Sequence, residues 1–564
     1  MRTDSSTGTG EGRWRGWGGL ALGLLLAAAF EVIIVARSPA VNNDGITFSK
    51  IAQKMAHSPV EAIIMPDQHP GYPAMILASR PLADVFGMRS EPERWLLAAR
   101  IAAGLCGVLS VAALWLLARS VFDARIAGVC AVIFAGMPVL RQNAADAMSD
   151  APHLLFYILA AWALVEGVKG AKSEWFIVAG IASGAAYWIR PEGLGVAVAG
   201  GAFLMLCCLW GRPLKRRQAF FAFCALAIAA GVVTWPYVEL KDTITQKKDF
   251  LHLLSPQTWR SRAPGASDVA QETGAQATAA AGRASEGSGS GQVETSVGTG
   301  SLAPGPKESL LRAGDRLAGM SPLLSLVGRA VGRLIGEAVH TYYWFPVFPL
   351  LLGLFATGRQ RPYGPAARFL FLLAAMNVCV LIGLYMLSGY ISGRHVMPMV
   401  VVSMPWVASG VIVAAGWLTR LAARKRSPAP GTESCIAVWL LAALMVLPLL
   451  PRTLRPLHEN KMILVAAARW IRENSQPGDR MLSNTPYVPW YADRPSHLVP
   501  GDAPHLRLKD ATGALLHRFV VLDLDSFDLP ATWREQLESD YVVRTPNLGV
   551  AGDREFLLME AKAP

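Results

Sequence analysis

Apolar runs of roughly 20 residues, the length a helix needs to cross a bilayer, recur along the chain from its start to about residue 450. They cover residues 17–35, 98–118, 126–140, 152–168, 175–188, 194–210, 220–237, 341–356, 369–387, 396–418 and 435–450, which predicts about eleven spans. Between the first two lies a loop, residues 38–95, that is far longer than a connector needs to be. Two amphipathic stretches within it, residues 46–55 and 74–86, are predicted to be helices lying in the membrane interface. Beyond residue 452 the long apolar runs stop. There the pattern predicts a helix over residues 461–473, strands at 480–483, 519–524, 541–544 and 555–559, and a further helix at 531–537. The expected architecture is a polytopic α-helical membrane domain, residues 1–452, followed by a small α/β domain, residues 453–564.

One segment fits neither pattern. Residues 261–310 are rich in Gly, Ala, Ser and Thr and bury too little to fold, so a disordered loop is predicted there, followed by an amphipathic stretch at 317–340.

Charge gives the membrane domain an orientation. Arg13 and Arg15 precede the first span, and alternate connections hold Arg119 and Arg125, Lys169 and Lys172, Arg212 to Arg217, Arg359 to Arg368, and Arg420 to Arg426. By the positive-inside rule these loops and the N-terminus are cytoplasmic, and the C-terminal domain is extracytoplasmic. The +12 net charge is thereby read as topology, which excludes nucleic acid as a partner. With 52% hydrophobic and 17% charged residues, the composition agrees with an integral membrane protein. The first run lacks a clean cleavage site beyond it and is read as an anchor, with Glu31 near its outer end reaching interfacial water. The seven cysteines all fall in or beside apolar runs without zinc spacing, and are read as small core residues with no disulfide framework.

Candidate chemistry gathers on the outer side. In "VNNDGITFSKIAQKM" (41–55), Asp44 stands at the mouth of a span, where it serves either as a helix cap or as a base beside the bilayer. At outer span ends or in the first outer loop lie also His69, Tyr72, Arg141, Asp146, Asp150, Arg190, Glu192, Arg394 and His395. Each has a plain structural reading. Ser149 or Asp150 caps the helix that Pro152 begins, and Arg190 and Glu192 pair only with each other. Read together, they form a polar site at headgroup level, in which an arginine fork suits a phosphate. A glycine-rich phosphate loop, HExxH and GxSxG are all absent, which excludes the corresponding ATPase, zinc-protease and serine-hydrolase classes.

The order of "NNDGITFSKIAQKM", "QHPGYP", "SDAP", "RPEG", "SGRHVMP", "WIRENSQPGDRML" and "YADRP" resembles the GT-C superfamily of membrane glycosyltransferases. The likeness is nearest to glycosyltransferase family 39 and its relatives, the protein O-mannosyltransferases and aminoarabinose transferases. It implies transfer of a sugar from a polyprenyl-phosphate-linked donor to a hydroxyl of a protein, lipid or glycan acceptor, on the outer face of a bacterial inner membrane. It also implies Asp44 as base in an inverting displacement and Arg394 or Arg190 at the phosphate. His69 and Tyr72 would shape the sugar site, Asp150 would orient a substrate, and Glu192 and His395 would complete the binding set. Many members carry Asp-Glu where this chain has Asp44-Gly45. No cofactor is named by these residues, and a divalent metal is left open. The competing classes are a lipid-linked saccharide flippase or other transporter, and a non-catalytic scaffold; charges gathered at one face without internal repeats favour the transferase.

Overall fold

A computed structural model describes residues 11–88, 90–244, 322–360, 364–422, 435–499, 508–509, 514–524, 529–544 and 556–562. The segment predicted to be disordered, residues 261–310, lies outside them.

The helices are α1 (Glu11–Arg37), α2 (Asn43–His57), α3 (Pro59–Ile64), α4 (Gly71–Val85), α5 (Glu91–Val121), α6 (Ala124–Ala135), α7 (Pro138–Ala145) and α8 (Asp150–Gly170). They continue with α9 (Ser173–Ile189), α10 (Leu194–Trp210), α11 (Arg216–Lys241), α12 (Pro322–Thr341), α13 (Val347–Gln360), α14 (Pro365–Ser388), α15 (Gly393–Ala422) and α16 (Cys435–Val446). The C-terminal domain adds α17 (Met462–Glu473), α18 (Tyr487–Ala492) and α19 (Ala531–Asp540). Local chemistry sets several starts. Ser90 accepts from the Glu93 N–H ahead of α5, with Pro92 in the first turn, and Asp123 accepts from the Ile126 N–H ahead of α6.

Among the described residues, 8 helices are long and apolar enough to cross a membrane, and α6 with α7 makes a further pair bent by 55°. Large side chains such as Leu25, Val32 and Ile228 are exposed on these helices, as lipid-facing positions require. Every predicted apolar run coincides with helix, but two are broken. Residues 126–140 bend at Gly136–Met137, because Pro138 forces Met137 into extended backbone. Residues 341–356 are not one helix, since Tyr343 and Trp344 take left-handed backbone (φ 55° and 67°) before Pro346 and α13. Cys106, Cys130 and Cys207 are buried, whereas Cys379 and Cys435 are exposed rather than core residues.

By compactness the chain forms two units. The first comprises Met1–Ile244, Phe348–Leu372 and Val401–Pro564; the second comprises Thr245–Val347 and Leu373–Val400.

The C-terminal domain carries a five-stranded mixed sheet in the order β2-β1-β3-β5-β4. Its strands are β1 (Met481–Ser483), β2 (Ser496–Leu498), β3 (Phe519–Asp523), β4 (Tyr541–Val543) and β5 (Phe556–Ala561). β1 runs parallel to β2 and β3, while β5 runs antiparallel to β3 and β4. Val520 and Leu522 point from β3 into a core with Trp533, Leu537 and Met559. The four predicted strands and two predicted helices are present; β2 and α18 are additions, being too short to show a period in sequence.

One histidine makes this domain sensitive to pH. His517, 3% exposed, has its Nε2 2.7 Å from Nδ1 of His497. Burial, then the neighbouring His497 and Arg480, push its pKa down to about 4. The unfolded chain, titrating near 6.5, therefore binds the proton more readily than the folded one. This contribution is complete above pH 6.5 and lost as the pH falls toward about 4. The melting temperature followed by tryptophan fluorescence should drop across that window, and less steeply in His517→Gln.

Candidate functional site

Asp44 is positioned by the start of α2. Asn42 sits in extended backbone (φ −67°, ψ 161°), and its side-chain carbonyl accepts from the Asp44 N–H at 3.4 Å. The cap is thus Asn42 and not Asp44, because the helix begins at Asn43, ahead of the predicted start. Asp44 lies in the first turn, partly exposed, where the helix dipole favours a carboxylate.

Gly45 explains how this turn packs. A Cβ there would lie 3.1 Å from the Asp146 carbonyl oxygen, 3.2 Å from Ala147 Cβ and 3.3 Å from Val41 Cγ2. The helix start therefore rests directly on the turn between α7 and α8, leaving no room for a second acid. Asp146 Oδ1 accepts from the Asn42 backbone N–H at 2.7 Å. Arg100 knits the same two segments, donating to Ala145 O (3.1 Å), Ser38 O (3.1 Å) and Ala40 O (3.0 Å). Gly45→Ala should cost roughly 1–3 kcal/mol through overpacking. Gly45→Glu, although it recreates the Asp-Glu pair, should lower both melting temperature and activity; a gain in either would contradict the packing assignment.

A second cluster stands at the ends of α8 and α9. Arg190 Nη1 is 2.6 Å from Asp150 Oδ1, and its Nε is 3.6 Å from Glu192 Oε2. The principal pair is therefore Asp150–Arg190, not Arg190–Glu192. Neither Ser149 nor Asp150 caps α8: the helix starts at Asp150, and Ser149 in the cap position makes no side-chain cap bond. Burial opposes the Arg190 charge, while Asp150, Glu192 and Asp44 favour it. Asp44 is thus within electrostatic reach of this cluster. Ser183 Oγ holds the turn after Arg190, donating to Gly193 O at 2.8 Å.

The "QHPGYP" element packs onto the end of α9. A Cβ on Gly71 would lie 2.6 Å from Trp188 O, so only glycine permits this approach. His69 stacks on Tyr237 (4.7 Å between centroids) and meets Tyr187 edge-on (5.2 Å). Tyr72 is 0% exposed; its hydroxyl donates to Ala99 O at 2.9 Å and its ring meets Phe48 edge-on. Burial holds its phenol well above the ordinary range, and its visible work is to lock α4 against α5 and α2.

Arg394 and His395 belong to the second unit, in the first turn of α15. His395 Nδ1 lies 3.2 Å from both the backbone N and the Oγ of Ser392, and Tyr390 meets its ring edge-on.

Two charges from the sequence reading lie elsewhere. Glu31, 6% exposed, does not reach interfacial water; its Oε1 is 3.0 Å from Nη1 of Arg141, which is 0% exposed. Arg141 Nη2 also donates to Gly107 O at 2.8 Å, so this pair ties α1, α5 and α7. Sequence reasoning also passed over Arg100, although it is the one charge inside the run at 98–118. Among the described residues, no group of three or more His, Cys, Asp or Glu side chains is placed to hold a metal ion.

The profile of the family described as dolichyl-phosphate-mannose-protein mannosyltransferase matches residues 93–235, which include Asp150, Arg190 and Glu192. No curated protein sequence matches the chain. Among solved structures, it is similar to the oligosaccharyltransferase AglB from Archaeoglobus fulgidus in complex with an inhibitory peptide and a dolichol-phosphate. That likeness has 13% identity and a TM-score of 0.55, over 92% of this chain and 70% of that one. It is also similar to ArnT from Cupriavidus metallidurans bound to undecaprenyl phosphate, with 14% identity and a TM-score of 0.54 over 96% and 98% of the two chains. The apo ArnT structure gives 14%, 0.53, 96% and 97%. The likeness to these solved structures shows a shared fold.

Proposed function

We propose that the chain transfers a sugar from a polyprenyl-phosphate-linked donor to an acceptor hydroxyl on the outer face of a bacterial inner membrane. The observation that carries this reading is a partly exposed carboxylate, Asp44, held at a helix start within electrostatic reach of the partly buried Asp150–Arg190–Glu192 cluster. The fold likeness supports it, since AglB is solved with a dolichol-phosphate and ArnT with undecaprenyl phosphate. Asp44 accepts the proton of the acceptor hydroxyl as its oxygen attacks the anomeric carbon. The bond from that carbon to the phosphate oxygen breaks, inverting the configuration and releasing polyprenyl phosphate. Arg190 balances the charge growing on the leaving phosphate. Asp150 orients a substrate through Arg190, and His69 and Tyr72 fix the wall of the sugar site. Glu192 completes the binding set, and the acceptor is a protein, lipid or glycan.

The test is to supply the purified protein with a panel of polyprenyl-phosphate sugars and hydroxyl acceptors. Sugar should appear in an acceptor with one donor or a narrow set of donors. Failure of every polyprenyl-phosphate donor, alongside transfer from a nucleotide sugar, would overturn the reading.

A further inference from the structure

The root of the C-terminal domain is fastened to the loop that carries Asp44. The chain leaves its last apolar helix at Thr453, and around that point it makes polar contacts with the end of α1, the start of that loop and α7. Arg37 Nη1 donates to Leu454 O (3.3 Å), and the Leu457 N–H donates to Ser38 Oγ (3.0 Å). Gln142 Nε2 donates to Arg452 O (2.6 Å).

His458 is the end of this series. Its backbone is left-handed (φ 55°), and its Nε2 lies 2.8 Å from Asp146 Oδ1. That same oxygen accepts the Asn42 N–H, and Asn42 in turn caps the helix turn bearing Asp44. The carboxylate thus takes donors from two sides: the helix cap and the first residues of the C-terminal domain. Facing a carboxylate, His458 Nε2 carries the proton and donates. The chain of contacts runs from His458 through Asp146 and Asn42 to the Asp44 backbone, in one compact unit.

We infer that Asp146 and His458 are positioning residues, which set the placement of Asp44 and make the root of the C-terminal domain part of the active-site scaffold. The inference rests on the proposed role of Asp44. A base must stand within hydrogen-bond reach of the proton it takes, and a displacement of about 1 Å costs on the order of a hundredfold in rate. Removing the His458 donor frees one side of Asp146 and loosens the cap without touching substrate.

Steady-state kinetics on full-length His458→Ala, His458→Gln and Asp146→Asn, with Asp44→Asn run in parallel, tests this. His458→Ala is expected to lower kcat by about tenfold to a hundredfold with little change in donor KM. His458→Gln, which keeps an N–H donor at that reach, should recover most of the loss. Asp146→Asn, which keeps an acceptor but not the charge, should fall between. Wild-type kcat in His458→Ala would overturn the inference while leaving Asp44 as base. So would a loss that glutamine does not rescue and that matches a drop in melting temperature. Near-normal turnover in Asp44→Asn would instead remove the base, and the inference with it.

Discussion

Asp44→Asn is expected to lower kcat by about 10²–10⁴-fold, the usual worth of a positioned general base. The substitution is close to isosteric and leaves the backbone N–H that Asn42 accepts. Its structural cost includes the favourable interaction of the carboxylate with the start of α2, about 0.3–1 kcal/mol. A base works only as the proton moves, so the loss should fall on kcat, with donor KM nearly unchanged. Expression, membrane insertion and melting temperature should stay close to those of the parent. A variant that keeps near-normal turnover would take Asp44 out of the mechanism.

The largest stability effect is expected at the buried pair. Arg141→Met removes the guanidinium and leaves Glu31 buried among α1, α5 and α7 without its cation. Breaking such a pair from one side costs about 3–5 kcal/mol, because the remaining charge keeps its desolvation penalty. Removing both charges is different: Glu31→Leu with Arg141→Met should restore most of the loss, since apolar groups need no partner there. Unfolding of the four proteins in detergent measures the coupling directly. Additive single effects would mean that the pair contributes nothing as a pair.

Much of the fold was legible because spans and strands announce themselves by period and length. Most apolar runs became helix, and the strands at 481–483, 519–523, 541–543 and 556–561 fall where the sequence pattern placed them. The breaks at Met137 and at Tyr343–Trp344 were not legible from hydropathy, since a proline-linked bend leaves an apolar run apolar. The site was legible at the level of residue type and end of span. Which charge meets which is a tertiary fact: Asp150 takes Arg190, Glu31 takes Arg141, and Asp146 takes His458 across 312 residues. No local pattern encodes those pairings. Gly45 shows the same limit from the other side. In sequence it is a missing acid, while in the fold it is the contact point on which the Asp44 turn rests.

The central claim is that the sugar–phosphate bond of a polyprenyl-linked donor is broken at Asp44. It is tested most directly in proteoliposomes by following the fate of that bond with donor and acceptor supplied together. The expected result is free polyprenyl phosphate and glycosylated acceptor in equal amounts from the parent protein, and neither from Asp44→Asn. A donor that crosses the bilayer with its sugar–phosphate bond intact, at the same rate in both proteins, would contradict it.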